Sequence, residues 1–85
     1  MERFASVIIS ADDMDACWVE VPVDIYAKYG KKRLKVHATF DGHPYDGLVC
    51  RMGTPYYLIG IRKEIRKAIG KQKGDIVDVT IEPRE

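Results

Sequence analysis

The sequence predicts a mainly β chain: a small, closed six-stranded barrel made of two ββαβ repeats, with two short helices at the barrel ends. The first observation behind this is a pattern stated twice, forty residues apart. Val21-Pro22-Val23-Asp24-Ile25-Tyr26-Ala27-Lys28-Tyr29-Gly30 is followed by a basic turn and the alternating run Val36-His37-Ala38-Thr39-Phe40. Ile61-Arg62-Lys63-Glu64-Ile65-Arg66-Lys67-Ala68-Ile69-Gly70 is followed by a basic turn and Val77-Asp78-Val79-Thr80-Ile81. With Gly30 laid on Gly70, Asp24 meets Glu64, Ile25 meets Ile65 and Tyr29 meets Ile69. One extra residue in the second turn then aligns Val36, Ala38 and Phe40 with Val77, Val79 and Ile81. Agreement through helix, stop signal and strand phase together makes residues 1–85 a single domain with an internal pseudo-two-fold repeat, at about 3–41 and 43–82. Secondly, the β-rich runs are short and bounded by turn residues. Thirdly, six such strands exceed what two small helices can cover on an open sheet, and closure removes the exposed edges.

Phe4 to Ile9 is a β-rich run of strand length. Asp12-Asp13-Met14-Asp15 reads as a polar turn, after which Ala16 to Val21 alternates through Cys17, Val19 and Val21. Pro22 suits the mouth of a helix, where its missing N–H would have had no partner. Ile25 and Tyr29 share one helical face, and Gly30 ends the helix in the left-handed conformation. Leu34 to Phe40 sets Leu34, Val36, Ala38 and Phe40 on one face of a strand, with Lys35, His37 and Thr39 on the other. Asp41-Gly42 is a hairpin signal, since both residues tolerate positive φ. Tyr45 to Met52 returns as a strand, Gly53-Thr54-Pro55 turns, and Tyr56 to Ile61 is the fifth strand. Arg62 to Ile69 is the second helix, with Ile61, Ile65, Ala68 and Ile69 as its apolar stripe, and Gly70 stops it. Ile76 to Glu82 is the last strand, and Pro83 ends regular structure.

The 46% hydrophobic content is that of a globular chain rather than a disordered one. No apolar run approaches the length of a membrane span, and Met1-Glu2-Arg3 leads straight into patterned sequence, which argues against a signal peptide. Cys17 and Cys50 are too few and too isolated for a disulfide framework. They read as small buried hydrophobes, and the expected compartment is the reducing cytoplasm. Net charge is only +1, but its distribution is uneven. Residues 28–35 and 62–73 hold 11 of the 14 Lys and Arg with one acid, Glu64, so these windows carry +10 and the rest of the chain −9.

Several landmarks resemble those of an uncharacterised bacterial family, a domain of unknown function with the double-split β-barrel fold. They are Trp18 with Val21-Pro22, Tyr29-Gly30, Val36 through Phe40-Asp41-Gly42, Arg66-Lys67-Ala68-Ile69-Gly70, and Gly74-Asp75-Ile76-Val77-Asp78-Val79. The resemblance covers almost the whole chain and implies a fold more than an activity. That fold is similar to the DNA-binding barrels of AbrB-type regulators and MazE-type antitoxins, which two chains build together, so this chain looks like both halves fused. No DNA-contacting residue of those regulators aligns one for one, and shared fold alone is weak ground for shared function.

Candidate site residues come from the two basic windows: Lys31, Lys32 and Arg33 in the first, and Arg62, Arg66, Lys71 and Lys73 in the second. Paired basic patches neutralise phosphates on a nucleic acid. The plainer alternative is a solvated face, with cations set near helix C-termini where the dipole favours them. Tyr56 and Tyr57 are candidates for stacking on bases; in a strand they point to opposite faces, so one ring is expected to be exposed. His37, His43, Cys17 and Cys50 lack the short ligand spacings of a zinc site, and a Cys50–His43 nucleophile–base pair has no third group to orient it. Gly70 to Gly74 lacks the spacing of a phosphate-binding loop. No cofactor, metal or catalytic residue is assigned. The leading expectation is a non-enzymatic, monomeric module with weak, sequence-tolerant affinity for nucleic acid and at most a weak dimer. The alternatives are a protein-interaction or accessory module, or a small-molecule-binding barrel.

Overall fold

A computed structural model describes residues 1–11, 16–51 and 56–84. Its elements are β1 (Glu2–Val7), β2 (Ile9–Ser10), β3 (Cys17–Val21), α1 (Ile25–Tyr29), β4 (Leu34–Phe40), β5 (His43–Cys50), β6 (Tyr57–Gly60), α2 (Lys63–Ile69) and β7 (Ile76–Pro83). The strands form one antiparallel sheet in the order β1-β7-β4-β5-β6-β3-β2. Because β1 and β2 follow one another in the chain, the first segment links the two ends of that order and the sheet curls into a nearly closed barrel.

The expected strand from Phe4 to Ile9 is therefore two strands, and among the described residues the count is seven rather than six. The break falls at Ile8, whose side chain is buried. Its main chain leaves both neighbouring ladders for the α2–β7 turn: its N–H donates to Asp75 O at 2.9 Å, and its carbonyl accepts from Gly74 N at 2.9 Å. Before the break the segment pairs with β7, from Glu2↔Ile81 to Val7↔Ile76; after it, Ile9 and Ser10 pair with Trp18 and Cys17. β5 changes partner in the same manner without breaking, from β4 along His43 to Val49 to β6 at Val49 and Cys50.

Alternation explains what is buried. Leu34, Val36, Ala38 and Phe40 of β4, Cys17, Val19 and Val21 of β3, and Val77, Val79 and Ile81 of β7 all enter one core with Ile8, Ile25, Val49, Tyr57, Ile59, Ile61 and Ile65. Each fully buried aliphatic chain contributes roughly 1.5–3 kcal/mol of transfer free energy. Among the described residues no polar or charged residue is buried, so any site is on the surface or in a surface cleft.

Local signals place the connections. Asp41 (φ 51) and Gly42 (φ 85) are both left-handed, as the two-residue turn between twisted strands requires. Gly30 and Gly70, each with φ 70, close α1 and α2. The start of α1 is not at Pro22 but at Asp24, whose carboxylate accepts the Ala27 N–H at 3.1 Å and so caps the helix. Arg62 is the residue before α2 rather than its first turn, β5 opens at His43 rather than at Tyr45, and Pro83 is the last residue of β7. The turns expected at Asp12–Asp15 and Gly53–Pro55, and the strand end at Met52, lie outside the described residues.

Candidate functional site

The α1–β4 turn positions the first basic group. Gly30 reverses the chain out of α1, so Lys31, Lys32 and Arg33 are exposed before Leu34 enters the core. Lys32 and Arg33 line a cleft of 630 Å³ with Asp24, Tyr26, Cys50, Arg51 and Tyr57. Three cations face one carboxylate there, and Asp24 is engaged at the end of its own helix. The Arg51 guanidinium lies over the Tyr57 ring, 5.1 Å from its centre, a cation–π contact that holds it at the cleft. Tyr57 is itself buried, and its hydroxyl accepts the Tyr26 N–H at 3.2 Å. That N–H is one of the donors at the start of a helix that have no partner within it. Tyr57 thus fastens α1 to β6, while Tyr26 and Tyr56 are the exposed rings on this side, 58% and 55% accessible. Tyr56 lines a smaller cleft of 200 Å³ that shares Asp24, Arg51 and Tyr57 with the first.

The second window divides between two clefts. Arg62 and Arg66 line one of 450 Å³ with Cys17, Tyr45, Gly60, Ile61, Lys63 and Glu64. Its ring is covered: Arg62 sits over Tyr45 at 5.6 Å. A side chain at position 47 would collide with that ring, so the bare backbone of Gly47 makes room for it. Arg66, Lys67 and Lys71 line another cleft of 430 Å³ with Lys63, Gly70 and Gln72, and Lys73 is exposed in the following turn.

Lys71 has a structural task. Its ammonium pairs with Asp41 Oδ2 at 2.6 Å and donates to the Ile76 carbonyl at 2.6 Å, tying the α2–β7 connection to the β4–β5 hairpin. Together with the Asp78 N–H, which donates to Asp41 Oδ1 at 2.8 Å, Lys71 holds the Asp41 carboxyl below the usual carboxylate range. A carboxylate with a depressed pKa in the fold stabilises it above the ordinary aspartate range, and that contribution is lost as pH falls through the folded-state value. Asp41→Asn is therefore expected to cost about 1 kcal/mol at neutral pH. Acid titration followed by circular dichroism should show a flatter loss of stability below about pH 4 for this variant than for the parent. Lys28 is engaged likewise: it pairs with Glu2, which also accepts from the Tyr29 hydroxyl at 3.2 Å, and Lys28 lowers the Glu2 pKa.

His37 and Asp46 lie across β4 and β5 on the outer face, with Nδ1 2.5 Å from Oδ1. His43 and Cys50 are the two ends of β5, about 23 Å apart at strand rise, so they form no nucleophile–base pair. Cys17 is buried in the core and Cys50 half-buried in the first cleft, both as free thiols. Among the described residues no group of three or more His, Cys, Asp or Glu could hold a metal ion, and no helix is long and apolar enough to cross a membrane.

The model of a family described as Domain of unknown function (DUF1905) matches residues 4–81. The chain belongs to that family. The DUF1905 match runs from Phe4 in β1 to Ile81 in β7, so it spans both basic windows and every residue of the first cleft. A comparison with curated proteins finds no match. Sequence reasoning did not single out Arg51, the third cation of the first cleft. It stands alone in the sequence, outside both windows, and only the return of β5 to the α1–β4 turn brings it to Lys32 and Arg33.

Proposed function

We propose that this DUF1905 chain is an internally duplicated, double-split barrel of two ββαβ units that acts as a monomeric, non-enzymatic binding module. Its ligand is nucleic acid, held weakly and with little regard to sequence. The observation that carries the ligand is the convergence of Lys32, Arg33 and Arg51 on one cleft, where they outnumber the single carboxylate of Asp24. Exposed cations of this kind neutralise phosphates and release counterions, which gives affinity without base readout.

The registers support the duplication. A shift of forty residues carries Val19 onto Ile59, and these two are paired across β3 and β6. A shift of 41 carries Thr39 onto Thr80, and these two are paired across β4 and β7 with their hydroxyl oxygens 2.5 Å apart. Residues that would exchange under a two-fold thus lie opposite each other in both ladders, as they do where an axis passes between them. The same shift carries Ile8, where the first strand changes partner, onto Val49, where β5 does so.

Fluorescence anisotropy of labelled DNA and RNA in low salt tests the ligand. Binding should fall linearly in log–log form with added salt, each lost phosphate contact reducing the slope by about one unit. Replacing Lys31, Lys32, Arg33 and Lys73 by Ser should abolish it without unfolding the barrel. Lys71 is left in place because it holds Asp41. No binding of any nucleic acid by the parent would overturn the reading. The protein-interaction alternative would then lead, favoured by the neighbouring exposed side chains of Val7 (45%) and Ile76 (61%), which are cross-strand partners on β1 and β7.

A further inference from the structure

α1 and α2 stand in different settings beside their cations. In the first, the Tyr26 ring is exposed at the rim of the cleft that holds Lys32, Arg33 and Arg51. Its backbone is pinned, since the Tyr26 N–H is bound by the Tyr57 hydroxyl. In the second, position 66 is the counterpart of 26 and carries arginine, and the nearby ring of Tyr45 is already covered by Arg62. Of the two, the setting of α1 joins convergent cations to an open aromatic face.

We propose that this cleft takes one nucleotide unit of a single strand, its phosphate on Lys32, Arg33 and Arg51 and its unpaired base stacked on Tyr26. The inference rests on the nucleic-acid reading above and narrows it. A duplex keeps its base faces stacked on one another, so a tyrosine ring gains nothing from it; an unpaired base offers that face freely. The cleft volume of 630 Å³ lies within the range of sites that enclose a small ligand, and suits one nucleotide rather than the flank of a double helix. Stacking on a phenol ring accepts any base, in keeping with binding that ignores sequence.

The test compares a labelled short oligothymidylate, a duplex of the same length and free thymidine monophosphate, all in low salt. The single strand should bind about tenfold or more tighter than the duplex. Tyr26→Ala should bring the single strand down to the level of the duplex, and Tyr26→Phe should restore it. The ring is exposed, so the melting temperature of Tyr26→Ala should equal that of the parent and separate lost stacking from lost folding. Arg62→Ser should lessen the salt slope while leaving the preference for single strand intact. Equal or tighter binding of the duplex overturns this inference and leaves the broader nucleic-acid reading standing. Monophosphate binding as tight as the oligomer also overturns it, because the cleft would then serve free nucleotides. Absence of binding by all three removes both readings.

Discussion

Replacing Phe40 by alanine is expected to cost about 3–5 kcal/mol, as much as a single core truncation ordinarily does. Phe40 is the largest of the fully buried side chains, and it ends β4 where that strand is flanked by both β5 and β7. Its ring packs 6.0 Å from that of Tyr45, centre to centre, so truncation leaves a cavity beside an aromatic neighbour that cannot collapse into it freely. Small domains have about 5–15 kcal/mol in total, so this one change consumes a large share of it. Urea unfolding should show a lower midpoint with an unchanged slope, the mark of a stability change rather than of an altered unfolded state. A loss under about 1 kcal/mol would mean that the space refills and that Phe40 is not central to the core.

Ile25→Ala and Ile65→Ala should each cost about 2–5 kcal/mol. Each is the buried residue of its helix: Ile25 in α1, fully inaccessible, and Ile65 in α2 at 5%. Helices of five and seven residues are too short to persist alone, so their packing onto the barrel is what forms them. Loss of either isoleucine should therefore release helical signal in circular dichroism together with stability. The Ile25 variant carries a further expectation. Freeing α1 detaches Tyr26 from Tyr57, so the nucleic-acid affinity proposed above should fall further in Ile25→Ala than in Ile65→Ala, at a temperature where the barrel stays folded in both. Equal loss of affinity in the two variants would show that binding follows stability and not the α1 cleft.

Much of the fold was legible because its signals are local. Strict alternation in Leu34 to Phe40 and in Ile76 to Ile81 identified the two strands that carry most of the inner face. Asp41-Gly42, Gly30 and Gly70 marked their turn and caps through backbone freedom that few other residues have. The break at Ile8 was not legible, because an isoleucine in a β-rich run is as good a strand residue as any; its main chain is drawn away by Asp75 and Gly74, far along the sequence. The candidate site divides on the same line. Cation-rich windows can be counted, and both are exposed where Lys31, Lys32, Arg33 and Lys73 stand. That Lys71 belongs to Asp41, that Tyr57 is a buried fastener and Tyr26 the open ring, and that Arg51 joins the first cleft are facts of tertiary approach. No spacing rule encodes them.

The handover of the first segment from β7 to β3 also orders the events of folding. The β4–β5 hairpin closes over two residues, whereas β1 must find residues 76–81 from residues 2–7, across nearly the whole chain. Loop-closure entropy rises by about 0.6 kcal/mol for each doubling of loop length, so the hairpin forms cheaply and the β1–β7 ladder late. Until it does, the outer edge of β7 stays open, and with it a row of backbone donors and acceptors able to capture a strand from another molecule. The β1–β7 ladder is thus expected to form after the hairpin. Concentration during refolding, more than the stability of the finished barrel, will govern how much of the chain reaches it.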